Sequence, residues 1–476
     1  MPEDPVKPTT PKRKRQRQES AVPKSIVNRA SRVAATSIKG TMKLAMLGPR
    51  RLLNKAGADQ ITSDFHASTA QDLVQLLGRL KGASMKVGQL ASFIDAGVLP
   101  PEARDQYQEA LGSLRDSAPP MEPKLVRQVF VREFDKDPEE LFAKFDMNHA
   151  AAASLGQVHY AEMDDGTPVA VKLQYPGVQS AIRSDLAMTS VVKPLLPLLA
   201  PGLEADEAMA EVRARILEEC DYKLEAANLD RLAFHYSGHP FVWIPCSFRD
   251  LSGERVMTMQ RASGMPFDEI KKLSREEKNR VGEILFRFYY GSLHRYGFTS
   301  ADPHPGNYLL MNDGKMAFFD FGLACTLPPE HRPLMHQGLM AVHDNDVESL
   351  YDSALKMRYI RHPERIDPDR FMQWAKISLA PVVEDRNYQF TREFIAERTA
   401  AMMDVKNPWW AFLRLLNLPR WAILLFRLEI GLFAVLAQLE AEANWHKITM
   451  EFYDDCPPST ELGKQEHDWL AEKPPQ

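Results

Sequence analysis

The feature of this sequence that most limits its fold is a change from helical to strand periodicity near residue 150. The segments ASLGQVHYAEM and PVAVKLQY are rich in β-forming residues and flank the turn Asp164-Asp165-Gly166-Thr167. Turn residues between two such runs are typical of a β-hairpin. YLLMNDGKMAFFDFG predicts a second, shorter hairpin. Because both hairpins stand between long helical segments, the sequence predicts an α+β protein.

The order of these patterns predicts a two-lobed chain, an arrangement that suggests a nucleotide cleft between the lobes. The segments are a disordered basic arm at 1–25, a helical extension at 26–120, a strand-rich lobe with an inserted helical block at 121–262, a helical lobe at 263–450, and a loose polar tail at 451–476.

Composition narrows the class of protein. The four cysteines form no CxxC pair, so neither a disulfide framework nor a zinc ribbon is indicated. The net charge is −5, yet residues 1–55 carry fourteen Lys and Arg against three acids. This basic arm is either a solvated charge run or a segment that binds anionic lipid or nucleic acid, and of these two partners we expect no nucleic acid. The early acids, the prolines and the lack of an apolar h-region argue against a secretory signal or transit peptide.

The segment at 421–445 is strongly apolar but is interrupted by Arg427 and Glu429. A transmembrane helix is therefore not supported, and a buried amphipathic helix is the preferred interpretation, with a membrane-surface helix as the alternative. We expect a cytoplasmic protein, with peripheral membrane contact left open.

Lys172 ends the run VAVK in the second strand of the longer hairpin, among apolar residues that must face a core. On an ordinary surface strand such a lysine would face solvent. VAVK is also the pattern by which kinases place a lysine on nucleotide phosphates and on a glutamate of a later helix. Both interpretations remain open from this residue alone.

The stretch SADPHPGN has the D-x-x-x-x-N spacing of a phosphoryl-transfer loop and precedes FFDFG in the expected order. We expect Asp302 to orient or deprotonate an acceptor, or to position water. Asn307 and Asp320 would hold Mg²⁺, which prefers oxygen ligands. A plain turn is the alternative, whereas a metal site built on His304 and His294 lacks further ligands at zinc-like spacing.

Acidic residues form another pattern in EECDYKLEAANLD, at 218–230. On one continuous helix, Asp221 and Glu225 would be about 40° apart and Glu219 and Glu225 about 120° apart. Such a helix could form ion pairs with two different lysines, and Glu225 would pair with Lys172. A solvated acidic face is the alternative.

A second lysine for this helix is present in KVGQ, where Lys86 and Gln89 share one side of a predicted helix. Apolar neighbours indicate that Lys86 is partly buried, so it needs a partner, and Glu219 or Asp221 would serve.

The run HAAAASLGQVHYA occupies the position of a kinase phosphate loop but lacks the GxGxxG pattern. Alanine does not tolerate the positive φ angles open to glycine, so the loop should approach phosphates differently. Backbone N–H groups are the expected contacts. The candidate nucleotide-binding residues are Ala152, Ala153, Ser154, Gly156, Val158 and Lys172.

Together these motifs resemble the UbiB-type atypical kinases, also called the aarF-domain or ADCK family, over residues 70–330. The resemblance rests on KxGQ with Lys86 and Gln89, the alanine-rich loop, VAVK, ExD at Glu219 and Asp221, then Glu225, Asp302, Asn307 and Asp320. It implies a bilobal protein-kinase-like fold with an N-terminal extension that brings KxGQ to the active site. ATP and Mg²⁺ binding, ATPase activity, and support of ubiquinone biosynthesis or lipid homeostasis are also implied.

The same resemblance implies that Lys172 pairs with Glu225, that Lys86 pairs with the ExD motif, and that Asn307 and Asp320 hold the metal. The implied partners are a nucleotide, a lipid or quinone precursor, and quinone-biosynthesis proteins. The chain departs from ordinary kinases in lacking His-Arg before Asp302, a lysine two residues after it, and an APE motif. Two alternatives remain: a small-molecule phosphotransferase of the aminoglycoside or choline kinase type, and a non-catalytic nucleotide-sensing scaffold.

Overall fold

The computed structural model describes residues 121–473, apart from 149, 154, 187–204, 404–406 and 454–455. The predicted basic arm and helical extension, with Lys86 and Gln89, therefore lie outside the described residues, as does Ser154.

The first half of the described chain contains α1 (Pro123–Phe134), β1 (Lys144–Phe145), β2 (Ala151–Ala153), β3 (Gly156–Glu162), β4 (Pro168–Gln174), α2 (Val178–Leu186), α3 (Ala205–Glu218), α4 (Tyr222–His235), β5 (Val242–Trp243) and β6 (Val256–Gln260). Five of these strands form an antiparallel sheet, ordered β1-β3-β4-β6 with β2 paired to β3. The longer predicted hairpin is present as β3 and β4, in register from Gly156 opposite Gln174 to Glu162 opposite Pro168.

Strand β4 is covered on both faces. Val169, Val171 and Leu173 pack with α1 in a small apolar cluster, whereas Ala170 belongs to the large core shared with α4 and the helical half of the molecule. Lys172 alternates with the first set and therefore lies on the α4 side. The solvent-face alternative for Lys172 is wrong, since the residue is only 6% exposed.

The second half is mainly helical. Its elements are α5 (Phe267–Ile270), α6 (Arg275–Phe286), α7 (Ser292–Tyr296), β7 (Phe298–Ser300), β8 (Tyr308–Leu310), β9 (Met316–Phe318), β10 (Ala324–Thr326), α8 (His331–Asp344), α9 (Val347–Lys356), α10 (Pro368–Val383), β11 (Tyr388–Gln389), α11 (Arg392–Met403), α12 (Trp410–Leu413), α13 (Ile423–Leu439), β12 (Glu442–Ala443), α14 (Trp445–Met450) and α15 (Glu461–Glu472). The shorter predicted hairpin is present as β8 and β9. Strand β5 pairs in parallel with β9, so strand pairing crosses the sequence boundary placed at 262.

Helix α13 is the one helix in the described part of the chain that is long and apolar enough to cross a membrane. Together with the turn before it, it runs from Arg420 to Leu439 at a mean hydropathy of 2.0, and half of this stretch is buried in the protein. Length and composition alone are weak grounds for a span, because core helices meet the same criteria. Its two interior charges, Arg427 and Glu429, both form ion pairs with other parts of the chain.

The C-terminal segment differs from the loose tail that the sequence predicts. Helix α15 places Glu466, 1% exposed, against the fully buried Arg287 of the helical half. Arg287 Nη1 donates to Glu466 Oε2 at 2.9 Å, and Arg295 Nη1 donates to Glu466 Oε1 at 2.6 Å. Glu283 and Glu451 complete the set around Arg287. The prediction failed because this polar segment docks through buried ion pairs, which apolar periodicity cannot indicate.

We therefore expect Glu466→Gln to lower the free energy of unfolding by about 3–5 kcal/mol, since it removes a buried carboxylate that pairs with both Arg287 and Arg295. Burial alone would raise the pKa of Glu466, but Arg295, His239 and Arg287 outweigh it and hold the pKa well below its usual range. A carboxylate with a depressed pKa stabilises the fold above its unfolded pKa, so this contribution should fade as the pH falls below 4.5.

Urea titration at neutral and acidic pH measures both effects. Glu461→Gln, at an exposed position of the same helix, is the control and should change stability by less than about 1 kcal/mol. Equal effects of the two substitutions would contradict the docking role of Glu466.

Candidate active site

Lys172 stands at the centre of the candidate site, beside two carboxylates. Its Nζ donates to Glu225 Oε1 at 2.5 Å and to Asp320 Oδ2 at 3.2 Å. Burial alone would lower the pKa of Lys172, but Asp320 and Glu225 outweigh it and raise the pKa. Burial raises the pKa of Glu225, and the ammonium of Lys172 opposes that change. One ammonium group is thus shared by two acids.

Three elements bring these groups together. Lys172 lies in the middle of β4, Glu225 lies in the first turn of α4, and Asp320 follows β9 by two residues. The Lys172 and Glu225 side chains are nearly buried, while that of Asp320 is 34% exposed. Lys172 and Glu225 are therefore the buried part of the site, and Asp320 is the residue of the three that solvent or a ligand can reach.

Glu219 and Asp221 do not lie on the helix of Glu225, contrary to the single helix predicted over 218–230. Helix α3 ends at Glu218, and Asp221 is the N-cap of α4, where its carboxylate accepts from the amides of Lys223 and Leu224. Aspartate is a strong N-cap residue and starts a new helix there. The predicted angles between these acids are therefore wrong, and any pairing with Lys86 lies outside the described residues.

The loop after β7 carries Asp302 and Asn307. Asn307 Nδ2 donates to the Asp302 carbonyl at 3.1 Å and to its Oδ2 at 3.0 Å. Ser300 Oγ donates to the Asp320 carbonyl and accepts from the Asp302 amide, at 3.4 and 3.3 Å. This serine therefore ties the loop to the segment of Asp320. His304 caps its turn by accepting from the Gly306 amide.

The side-chain oxygens of Asn307 and Asp320 are of the kind that a hard cation prefers as ligands. Because the Asn307 amide nitrogen is committed to Asp302, its Oδ1 is left for a ligand, and Asp320 is the partly exposed carboxylate nearby. Within the described residues no group of three or more His, Cys, Asp or Glu could hold a metal ion. Nucleotide phosphates would have to supply the remaining ligands of an ion such as Mg²⁺.

The alanine-rich segment is a tight hairpin. Ala152 and Ala153 belong to β2, and Ala153 pairs with Gly156 at the start of β3. A Cβ on Gly156 would lie 1.7 Å from the Leu173 carbonyl oxygen, so glycine is needed there for the close approach of β4. Val158 stands directly opposite Lys172. The segment therefore lies next to the lysine, and its contact with a nucleotide stays a prediction.

One residue at the site was not found from the sequence. Arg427 of α13 donates from Nη2 to Asp302 Oδ1 at 2.5 Å, across 125 residues of chain. The available signal was a charge inside an apolar helix, which requires a partner when it is buried. Sequence spacing could not identify that partner.

We expect Glu225→Gln to lower the free energy of unfolding by about 1–3 kcal/mol, since Lys172 then keeps a single acidic partner in a buried site. Chemical denaturation measures this. Glu162→Gln is the control, because Glu162 pairs with Lys144 on the exposed face of the same sheet. Its effect should stay below about 1 kcal/mol, and a Glu225→Gln effect no larger than that would refute the importance of the buried pair.

Comparison with known proteins shows which family this chain belongs to. The ABC1 atypical kinase-like domain matches residues 113–354, about half of the chain. The chain is 28% identical to the mitochondrial atypical kinase COQ8B of Rattus norvegicus, over 81% of this chain and 72% of that protein. It is 26% identical to the mitochondrial atypical kinase COQ8 of Saccharomyces cerevisiae, over 84% of this chain and 77% of that protein.

A solved structure agrees with the fold. The complex of Rv3197 with erythromycin from Mycobacterium tuberculosis is 29% identical, with a TM-score of 0.60, and the match covers 83% of this chain and 98% of that one. The expected kinase-like α+β fold is thus confirmed, and so is the expected class of enzyme, an atypical kinase. Membership of a kinase-like family implies that the protein binds a nucleotide. The chain belongs to the ABC1 atypical kinase-like family, the group that the motifs predicted as UbiB or ADCK proteins.

Proposed function

We propose that this protein binds ATP with Mg²⁺ beside Lys172, hydrolyses it or transfers its terminal phosphoryl group, and thereby supports isoprenoid quinone biosynthesis or lipid homeostasis. The observation that carries the proposal is the ammonium of Lys172 shared between Glu225 and Asp320. In kinases the lysine–glutamate pair and the metal-binding aspartate must both be in place for catalysis.

Each side chain has a role in this proposal. Glu225 fixes Lys172, and Lys172 contacts the nucleotide phosphates. Asp320 and Asn307 hold Mg²⁺, which when bound neutralises charge on the phosphates. Asp302 orients the hydroxyl or water that attacks the terminal phosphorus. The alanine-rich segment, with Ala152, Ala153, Ser154, Gly156 and Val158, covers the nucleotide.

The physiological context is proposed from the relatives, two of which are named as COQ8 atypical kinases of mitochondria. A lipid or quinone precursor would be the effector or acceptor, and proteins of quinone biosynthesis would be partners. The basic segment at 1–55 suits an anionic membrane surface. We propose peripheral membrane association on this ground, and the compartment stays a prediction.

The metal role predicts that Asp320→Asn abolishes the gain in ATP affinity produced by Mg²⁺, a loss of about tenfold or more, or about 1.4 kcal/mol. Calorimetric titration with ATP, with and without Mg²⁺, measures this. Asp313→Asn, at the exposed turn of the same hairpin, should bind like wild type. Mg²⁺-dependent binding that survives Asp320→Asn would refute the assignment.

The pathway role predicts that a strain deleted for this gene has less isoprenoid quinone and that the wild-type gene restores it. Asp302→Asn should fail to restore it if catalysis is required, because the amide cannot accept a proton. Quinone extracts analysed by mass spectrometry give the answer. Full rescue by Asp302→Asn would instead favour a non-catalytic nucleotide-sensing scaffold.

A further inference from the structure

Helix α13 lies against the loop that carries Asp302. Arg427 donates from Nε to the Ala301 carbonyl at 3.2 Å as well as from Nη2 to Asp302 Oδ1 at 2.5 Å. The side chains of Arg427 and Asp302 are 17% and 24% exposed, so solvent only partly screens the pair. A charge-assisted hydrogen bond in such a setting is stronger than one on an open surface.

The next turn of the same helix face also contacts the loop. Gly431 lies four residues after Arg427, and a Cβ there would come within 2.7 Å of Pro303 Cγ. Residues four apart lie on one side of a helix. The face formed by Arg427 and Gly431 therefore holds both the carboxylate of Asp302 and the proline that follows it.

Both oxygens of the Asp302 carboxylate are held in this way. Oδ1 accepts from Arg427 and Oδ2 accepts from Asn307. A carboxylate has about four lone-pair positions, so these two bonds fix its plane and still leave room for an acceptor hydroxyl. Orientation of this kind lowers the barrier of a transfer step, because the reacting groups are already aligned.

The position two residues after Asp302 is His304, where ordinary kinases have a lysine, and its ring is used to cap the turn at Gly306. Arg427 thus brings a cation to this loop from a distant part of the chain.

We propose that Arg427 is a positioning residue for phosphoryl transfer, acting from the face of α13 that also carries Gly431. The inference rests on the proposed function. In the step concerned, the acceptor oxygen bonds to the terminal phosphorus of ATP and gives its proton to Asp302. The bond from that phosphorus to the bridging oxygen breaks, and its electron pair leaves on ADP.

The test compares ATP turnover and ATP affinity in the full-length chain. Arg427→Gln should lower kcat by about tenfold or more and change the Kd for Mg-ATP by less than about threefold, the pattern of a group that acts on the transfer step and not on binding. Arg427→Lys should recover part of the loss, because it restores the charge without the planar fork. Gly431→Ala, which keeps Arg427 but displaces Pro303, should also lower kcat.

Glu429→Gln is the matched control. Glu429 pairs with Arg398 at 2.6 Å and lies about 200° around the same helix from Arg427. It should lower the melting temperature at least as much as Arg427→Gln does and leave kcat unchanged. This separates loss of helix docking in general from loss of contact with Asp302.

The outcomes are distinct. Turnover of Arg427→Gln equal to wild type, or a loss matched by equal weakening of Mg-ATP binding, overturns the inference and leaves the proposed function standing. Absence of ATP binding and hydrolysis by the wild type overturns the proposed function and the inference with it.

Discussion

The ammonium of Lys172 between Glu225 and Asp320 is the interaction on which the rest of the site depends. It joins the sheet, through β4, to α4 and to the segment after β9. A single ammonium group is in contact with two carboxylates, of which Glu225 is buried and Asp320 is partly exposed. The exposed part of Asp320 is suited to contact a metal ion that arrives with nucleotide phosphates.

The helical half of the molecule contributes side chains that contact the loop of Asp302. Asp302 is held by Asn307 of its own loop and by Arg427 of α13, and Gly431 allows that helix to approach Pro303. Further along, α15 is anchored by Glu466 on the buried Arg287. Ion pairs between residues far apart in the chain thus connect α13 and α15 to earlier parts of the helical half.

The sequence predicts those parts of the fold that depend on local periodicity and turn chemistry. Both hairpins follow from Asp-Gly or Asn-Asp-Gly turns between β-rich runs, and the pairing of Lys172 with Glu225 follows from motif order. The predictions were wrong or incomplete where a side chain forms a contact that its local sequence does not specify. Asp221 caps a helix instead of continuing one, so the angles assigned to Glu219 and Asp221 were wrong. Arg427 and Glu466 find their partners more than a hundred residues away, and no periodic pattern specifies such contacts.

Covalent labelling would test whether Lys172 faces the phosphates of a bound nucleotide. An acyl-phosphate derivative of ATP transfers its acyl group to a lysine held next to the phosphates, and peptide mass spectrometry identifies the lysine. Lys172 should be the principal labelled residue, and excess Mg-ATP should prevent the labelling. Unlabelled Lys172, or labelling that Mg-ATP does not reduce, would show that Lys172 does not face the nucleotide phosphates.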